Sequence, residues 1–249
     1  MGIVAPHPGG TTPSIGRPGF EICPGYRISS AHSGGNAVIL TGSDIQRRLW
    51  PEPGDARERL VIVPLSVDSG QLTSSSVDLR LGTWFAAPRP SDMAVINLSE
   101  FGAANDRTTS ARTPAGVMAQ RFVPFGAQFV LHPASFVLAA ALEWVRLPAD
   151  LAATVEGRSS LGRCGLNIAN ATTVHPHFTG CLTLELTNTG EVPISVSPGM
   201  LICQLILHQL TGNAPLPQHS SHSGYRRPIM NPVRLDDIAR KLGESARSQ

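Results

Sequence analysis

Apolar positions in this chain recur mostly at every second residue and in short runs. Val77, Leu79 and Leu81 alternate with Asp78 and Arg80, and Leu182, Leu184 and Leu186 alternate with Thr183, Glu185 and Thr187. A period of two marks a strand that lays one face on a core. LVIVPLSV from Leu60 adds a further run. After Arg121, FVPFGAQFVLHP, SFVLAAALEWVRLP, PISVSP and MLICQLILHQL are each short, apolar or alternating, and bounded by Pro, Gly or Asn. Short strands punctuated by turn residues predict an all-β sandwich, barrel or jelly roll. The alanines of SFVLAAALEW also suit a helix, because a short apolar run does not by itself separate the two. Helical spacing is clear in two places. Ile45 and Leu49 follow the capping hydroxyls of Thr41 and Ser43, while Leu235, Ile238, Ala239 and Leu242 share one face between Val233 and Leu242.

Between and around these elements lie polar stretches without periodicity. Residues 1–37 carry PHPGG, GRPG, CPGY and SGG and read as a flexible Gly/Pro-rich arm, and GAANDRTTSARTPAG after Phe101 reads as a mobile connection. The expected organisation is therefore an arm over 1–37, a β domain over 38–212, and a tail over 213–249 ending in a short helix. Composition supports this. Gly (24) and Pro (21) are abundant while charged residues make up only 15%, which favours strands and turns over long surface helices.

Charge and cysteine usage narrow the class of partner. A net charge of +2 is far from the basic balance of a protein that grips nucleic-acid backbone, so no nucleic-acid partner is expected. No apolar run approaches the roughly eighteen residues of a membrane span, and the start has no charged-then-apolar leader, so no membrane association is expected. Cys23, Cys164, Cys181 and Cys203 form no C-x-x-C pair and read as reduced thiols of a cytoplasmic protein.

Three segments could carry chemistry. EGRSSLGRCGL, Glu156 to Leu166, follows an apolar run and concentrates glycines, serines and two arginines. Its backbone can approach an anion closely, and Arg158, Arg163, Ser159 and Ser160 offer donors suited to phosphate oxygens. The same composition also describes a solvated surface turn. In CLTLELTN the leucines must face the core, so Glu185 stands on the opposite side between Thr183 and Thr187. On an open face it is an ordinary surface acid; in a shielded pocket it is placed for proton transfer. In NATTVHPHFTG the pair His175 and His177 lacks the further ligands a metal site needs. The H-x-E with P-C-x-x-C pattern of zinc nucleobase deaminases is missing, as are the G-x-x-x-x-G-K-[ST] phosphate loop and the G-x-S-x-G elbow.

The ordered set SSVDLRLG (Ser75 to Gly82), LPADLAATVEGRSSLGRCGL (Leu147 to Leu166), GCLTLELTN (Gly180 to Asn188) and PGMLICQL (Pro198 to Leu205) resembles the dCTP deaminase family, relatives of the trimeric dUTPases. The similarity runs from about Thr41 to Leu210. It implies an all-β, distorted jelly-roll (dUTPase-like β-clip) fold with a few short helices, assembled as a homotrimer with active sites between subunits. It also implies hydrolysis of the 4-amino group of dCTP to dUTP and ammonia, without zinc, magnesium accompanying the triphosphate. By position, Glu185 matches the catalytic glutamate. Arg158, Ser159, Ser160 and Arg163 match the nucleotide-binding loop, with Arg163 and Ser159 also organising the reaction centre. Thr183 and Leu184 match the strand along the base, and Ala171 lies near the position that orients the water.

Several positions depart from the family pattern. Where the family reads I-D-P-G-F, this chain has Val174, His175, Pro176, His177 and Phe178. The family's aspartate contacts the sugar hydroxyl, a bond that His175 can still make but not as a carboxylate. Thr173 stands where many members have arginine. Tyr225 matches the tyrosine of the closing K-Y-x-x-Q segment, but Gly224 replaces its lysine and Pro228 its glutamine. Three alternatives stand beside the deaminase reading. One is a bifunctional enzyme that also releases pyrophosphate to give dUMP, which His175 in place of aspartate argues against. Another is a non-catalytic trimer that binds a nucleotide as a sensor or regulator, which the altered sugar loop and tail favour. The third is an enzyme acting on a different cytosine nucleotide.

Overall fold

The computed structural model describes residues 38–53, 59–66, 70–89, 118–168, 173–216 and 224–228. The expected arm over 1–37, the connection after Phe101 and the helix from Val233 lie outside these residues, as does Ala171.

In chain order the elements are β1 (Val38–Ile39), α1 (Gly42–Leu49), β2 (Val61–Val63), β3 (Val77–Pro88), β4 (Met118–Phe122), β5 (Phe129–Leu131), β6 (Phe136–Arg146) and β7 (Leu151–Gly157). A single helical turn, α2 (Ser159–Gly162), then leads to β8 (Leu166–Ile168), β9 (Thr173–Val174), β10 (Thr179–Asn188), β11 (Ile194–Val196) and β12 (Leu201–Gln209). The main sheet runs β8-β10-β6-β3-β12-β7-β9, with β1 added on β12, β2 on β6 and β4 on β3; β11 and β5 pair separately. Each of these pairings is antiparallel. The sheet curls, because β8 at one end returns to β7 near the other. A Cβ added to Gly157 would lie 3.5 Å from the Ile168 carbonyl oxygen. The all-β expectation holds.

The alternating leucines fill the inside of the curl. Leu79, Leu81, Phe85, Leu184, Leu186, Ile202 and Leu205 are fully buried, and Phe85 stacks on Phe129 with centroids 4.6 Å apart. Each such side chain contributes about 1.5–3 kcal/mol relative to an exposed one. SFVLAAALEW forms a strand, not a helix. Val137 to Ala141 are all buried, as befits an interior strand covered on both faces. At α1 the Thr41 hydroxyl accepts the Asp44 N–H at 3.3 Å, and Ile45 and Leu49 pack inward as their spacing predicts.

One expectation needs correction. Asp78 belongs to the polar set of β3, which the alternation reads as a solvent face, but it is buried at 6% exposure. Gln204 of β12 lies opposite it in register, and the Arg158 side chain reaches it from beyond β7. Alternation reports that two faces differ; it does not report what covers the second.

Candidate active site

The segment after β7 is built to hold a loop at the surface. Leu151, Ala153 and Val155 bury one side of β7, and the chain then turns at Arg158 in extended backbone. The Leu161 and Gly162 N–H groups both donate to the Arg158 carbonyl at 3.0 Å, closing the single turn of α2. Leu161 packs against the core, leaving Ser159, Ser160, Gly162 and Arg163 exposed. The far end of the loop docks through Gly165, whose φ of +88° suits glycine. A Cβ there would come within 3.0 Å of the Gly190 nitrogen, and the Gly165 carbonyl accepts the Thr189 N–H at 2.8 Å. The loop is thereby fixed to the turn that follows β10.

Arg158 is the best anchored of the loop's polar side chains. Its guanidinium sits 3.4 Å from the Asp78 carboxylate. Burial raises the Asp78 carboxyl above its ordinary range, and the facing Arg158 charge opposes that rise. Sequence reasoning did not assign Asp78 to the site. The available signal was its place inside SSVDLRLG, one of the segments that carry the resemblance.

β10 lies between β8 and β6. Leu182, Leu184 and Leu186 are buried, Thr183 is exposed, and Glu185 and Thr187 are half-buried on the other face. Leu184 therefore presents only its backbone to that face. Glu185 pairs in register with Leu138 of β6, and paired residues share a face. Leu138 belongs to a small second apolar cluster with Ala86 and Met118, packed by Phe136. The acid accordingly borders an apolar patch, not an open polar surface.

The start of β10 carries the tail. The Gly224 N–H donates to the Thr179 carbonyl at 2.6 Å, and the Cys181 N–H donates to the Tyr225 carbonyl at 2.8 Å. Gly180, at φ +150°, permits this approach, since a Cβ would lie 3.2 Å from the Tyr225 oxygen. Arg226 lies over Trp144 at 5.4 Å and Arg227 over Trp84 at 3.9 Å. Arg226, Trp144, Trp84, Thr83 and Cys181 help line a cleft of about 400 Å³ on this face. Neither arginine was read as functional from sequence, because their aromatic partners are remote in the chain.

The structure brings some of the expected residues together and separates others. Arg158, Ser159, Ser160 and Arg163 share one loop, docked beyond the end of β10 whose outward face carries Thr183 and Glu185. Tyr225 stands at the opposite end of β10. His175 is exposed on the turn after β9, the edge strand beyond β7. His177 adopts φ +64° and its ring Nε2 lies 2.9 Å from the Ala214 carbonyl, tying the segment after β12 to this turn. Among the described residues no group of three or more His, Cys, Asp or Glu could hold a metal ion, and no helix is long and apolar enough to cross a membrane.

Curated relatives share much of the sequence. A dCTP deaminase of Halorubrum lacusprofundi is 40% identical over 72% of this chain and 81% of its own length. A dCTP deaminase of Natronomonas pharaonis is 40% identical over 80% and 96%. A dUMP-forming dCTP deaminase of Dictyoglomus turgidum is 35% identical over the same shares. Among solved structures, a 2'-deoxycytidine 5'-triphosphate deaminase from Agrobacterium tumefaciens is 23% identical, with a TM-score of 0.49, over 70% of this chain and 48% of that one, about half its length. A family model described as dCTP deaminase-like matches residues 39–210, from the last residue of β1 through β12, and the chain belongs to that family.

Proposed function

We propose that this protein deaminates dCTP by hydrolysis, giving dUTP and ammonia. The observation that carries the reading is Glu185, held by strand alternation on the outward face of β10 beside an apolar cluster, in a chain of the dCTP deaminase-like family. Water adds to C4 of the cytosine ring while Glu185 takes its proton. Glu185 passes that proton to N3, then takes the second proton from the new C4 hydroxyl and delivers it to the amine as the C4–N bond breaks and the C4 carbonyl forms, so that one carboxylate serves both steps. Thr183 and the Leu184 backbone lie along the base. Ser159 and Arg163 organise the reacting centre, Arg158 and Ser160 bind the phosphates, Ala171 lies in sequence near the position that orients the water, and His175 and Tyr225 contact the sugar side. Magnesium enters as the companion of the phosphate oxygens. No protein-bound zinc takes part.

The separation of Tyr225 from the loop, at opposite ends of β10, supports a homotrimer in which the loop of one subunit meets the tail of another. This arrangement also gives each site the shielding that general acid–base chemistry needs.

A second reading is favoured by one observation: the relatives divide between plain and dUMP-forming dCTP deaminases. The dUMP-forming route must activate a second water for attack on a phosphate, and His175 stands where the family carries a carboxylate, which favours the plain reaction. Purified protein, expected to sediment as a trimer, should release ammonia and dUTP from dCTP with no pyrophosphate. Glu185→Gln should lower kcat about 10²–10⁴-fold with little change in KM. No ammonia from the wild type would sink the proposal, pyrophosphate with dUMP would shift it to the bifunctional enzyme, and nucleotide binding without turnover, unaltered by Glu185→Gln, would make the protein a sensor.

A further inference from the structure

Behind the Asp78–Arg158 pair lies a buried polar chain. β3 pairs with β6 from Leu81 onward, where Leu81 faces Ala141. Ahead of that point the backbone groups of Asp78 and Arg80 on the β6 side have no strand to meet. Gln71, with both its carbonyl and its side chain, and the Glu143 side chain take its place. Gln71 accepts the Asp78 N–H on its own carbonyl at 2.8 Å and donates from Nε2 to the Asp78 carbonyl at 3.0 Å. Glu143 accepts the Arg80 N–H at 2.8 Å on one oxygen and the Gln71 Nε2 at 2.7 Å on the other. The Ser66 N–H donates to Gln71 Oε1 at 3.1 Å, which fixes which way the amide points. Gln71 is 1% exposed and Glu143 fully buried.

A buried carboxylate costs stability unless its oxygens are bonded, so a glutamate fully enclosed inside a β sheet calls for a reason. Here each oxygen is committed to a donor that fixes β3 at Asp78 to Arg80. The Asp78 side chain leaves that fixed backbone to meet Arg158, the residue at the head of the phosphate loop. A displacement of β3 here would carry the Asp78 carboxylate away from the guanidinium.

We infer that Glu143 and Gln71 are positioning residues for the triphosphate, acting through Asp78 to hold Arg158 where it meets the phosphates. The inference rests on the dCTP reading of the site. Neither residue touches the nucleotide, since both are enclosed behind β3. Glu143→Gln keeps the shape but sets an amide donor against either Gln71 Nε2 or the Arg80 N–H, so one of those bonds must fail.

A double-mutant cycle between Glu143→Gln and Asp78→Asn, with kcat and KM for dCTP measured on each purified protein, tests the role. Each single variant should raise KM about 10-fold with kcat within about twofold, and the double variant should be little worse than either, because both act on one chain of contacts. Gln71→Met replaces Glu143→Gln in the cycle if the latter does not fold. Additive KM effects, an unchanged KM, or a kcat that falls as far as KM rises would overturn the positioning role. A wild type that releases no ammonia from dCTP would instead overturn the reading of the site.

Discussion

At the scale of single residues, the fold is fastened by charges whose partners are far along the chain. Arg48 is 3% exposed, yet it projects from α1 onto the Asp150 carboxylate, with Nη1 2.8 Å from Oδ2, and onto Gln209 Oε1 at 3.2 Å. Gln209 Nε2 in turn donates to the same carboxylate at 3.1 Å. Burial alone would raise the Asp150 carboxyl, but the Arg48 and Gln209 bonds outweigh it and hold it below its ordinary value of 3.8. A lowered carboxylate contributes stability above that ordinary value and loses it as pH falls through the lowered one. Asp150→Asn should therefore cost about 3 kcal/mol near neutral pH, measured by urea unfolding. The gap from wild type should narrow below pH 3.8; a constant gap across pH would contradict the pairing. Residues of this kind were not legible in the sequence. Glu185 was, because its placement follows from its neighbours on one strand. Asp78, Gln71, Glu143 and Arg226 were not, because each is defined by a partner that only the sheet brings near.

At the scale of elements, local patterns fared better. The cap at Thr41 and the alternation of β3 and β10 follow from spacing alone, whereas β8, three residues long, carries no pattern of its own. The alanine run of β6 was open to either structure, and packing resolves it. A Cβ on Gly82 would come within 2.8 Å of the Ala140 carbonyl, so β3 and β6 approach closely, with only methyl side chains at Ala139, Ala140 and Ala141. In the tail at 224–228 only Tyr225 is legible, through its match to the closing segment of the family. Two backbone hydrogen bonds hold the tail to β10, and cation–π contacts to Trp144 of β6 and Trp84 of β3 add about 0.5–1 kcal/mol each at such exposed sites. Arg227→Ala should therefore speed amide exchange at Cys181 by about 2–5-fold and leave Leu186 unchanged. An unaltered Cys181 rate would show that the backbone bonds hold the segment alone.

At the scale of the whole molecule, β12 is the strand around which the rest is arranged. It joins β3 on one side to β7 on the other, so it links the strand bearing Asp78 to the strand that feeds the phosphate loop. Cys203 sits on it, fully buried between Leu79 and Gly157, whereas Cys164 is exposed. Burial drives the Cys203 thiol far above its usual range, with the Glu143 and Asp78 charges adding to the rise. Thiolates, not thiols, react with alkylating agents. Cys203 therefore serves as an internal clock: once the other cysteines are replaced, the rate at which iodoacetamide consumes it times the parting of the two strands on which the phosphate grip depends.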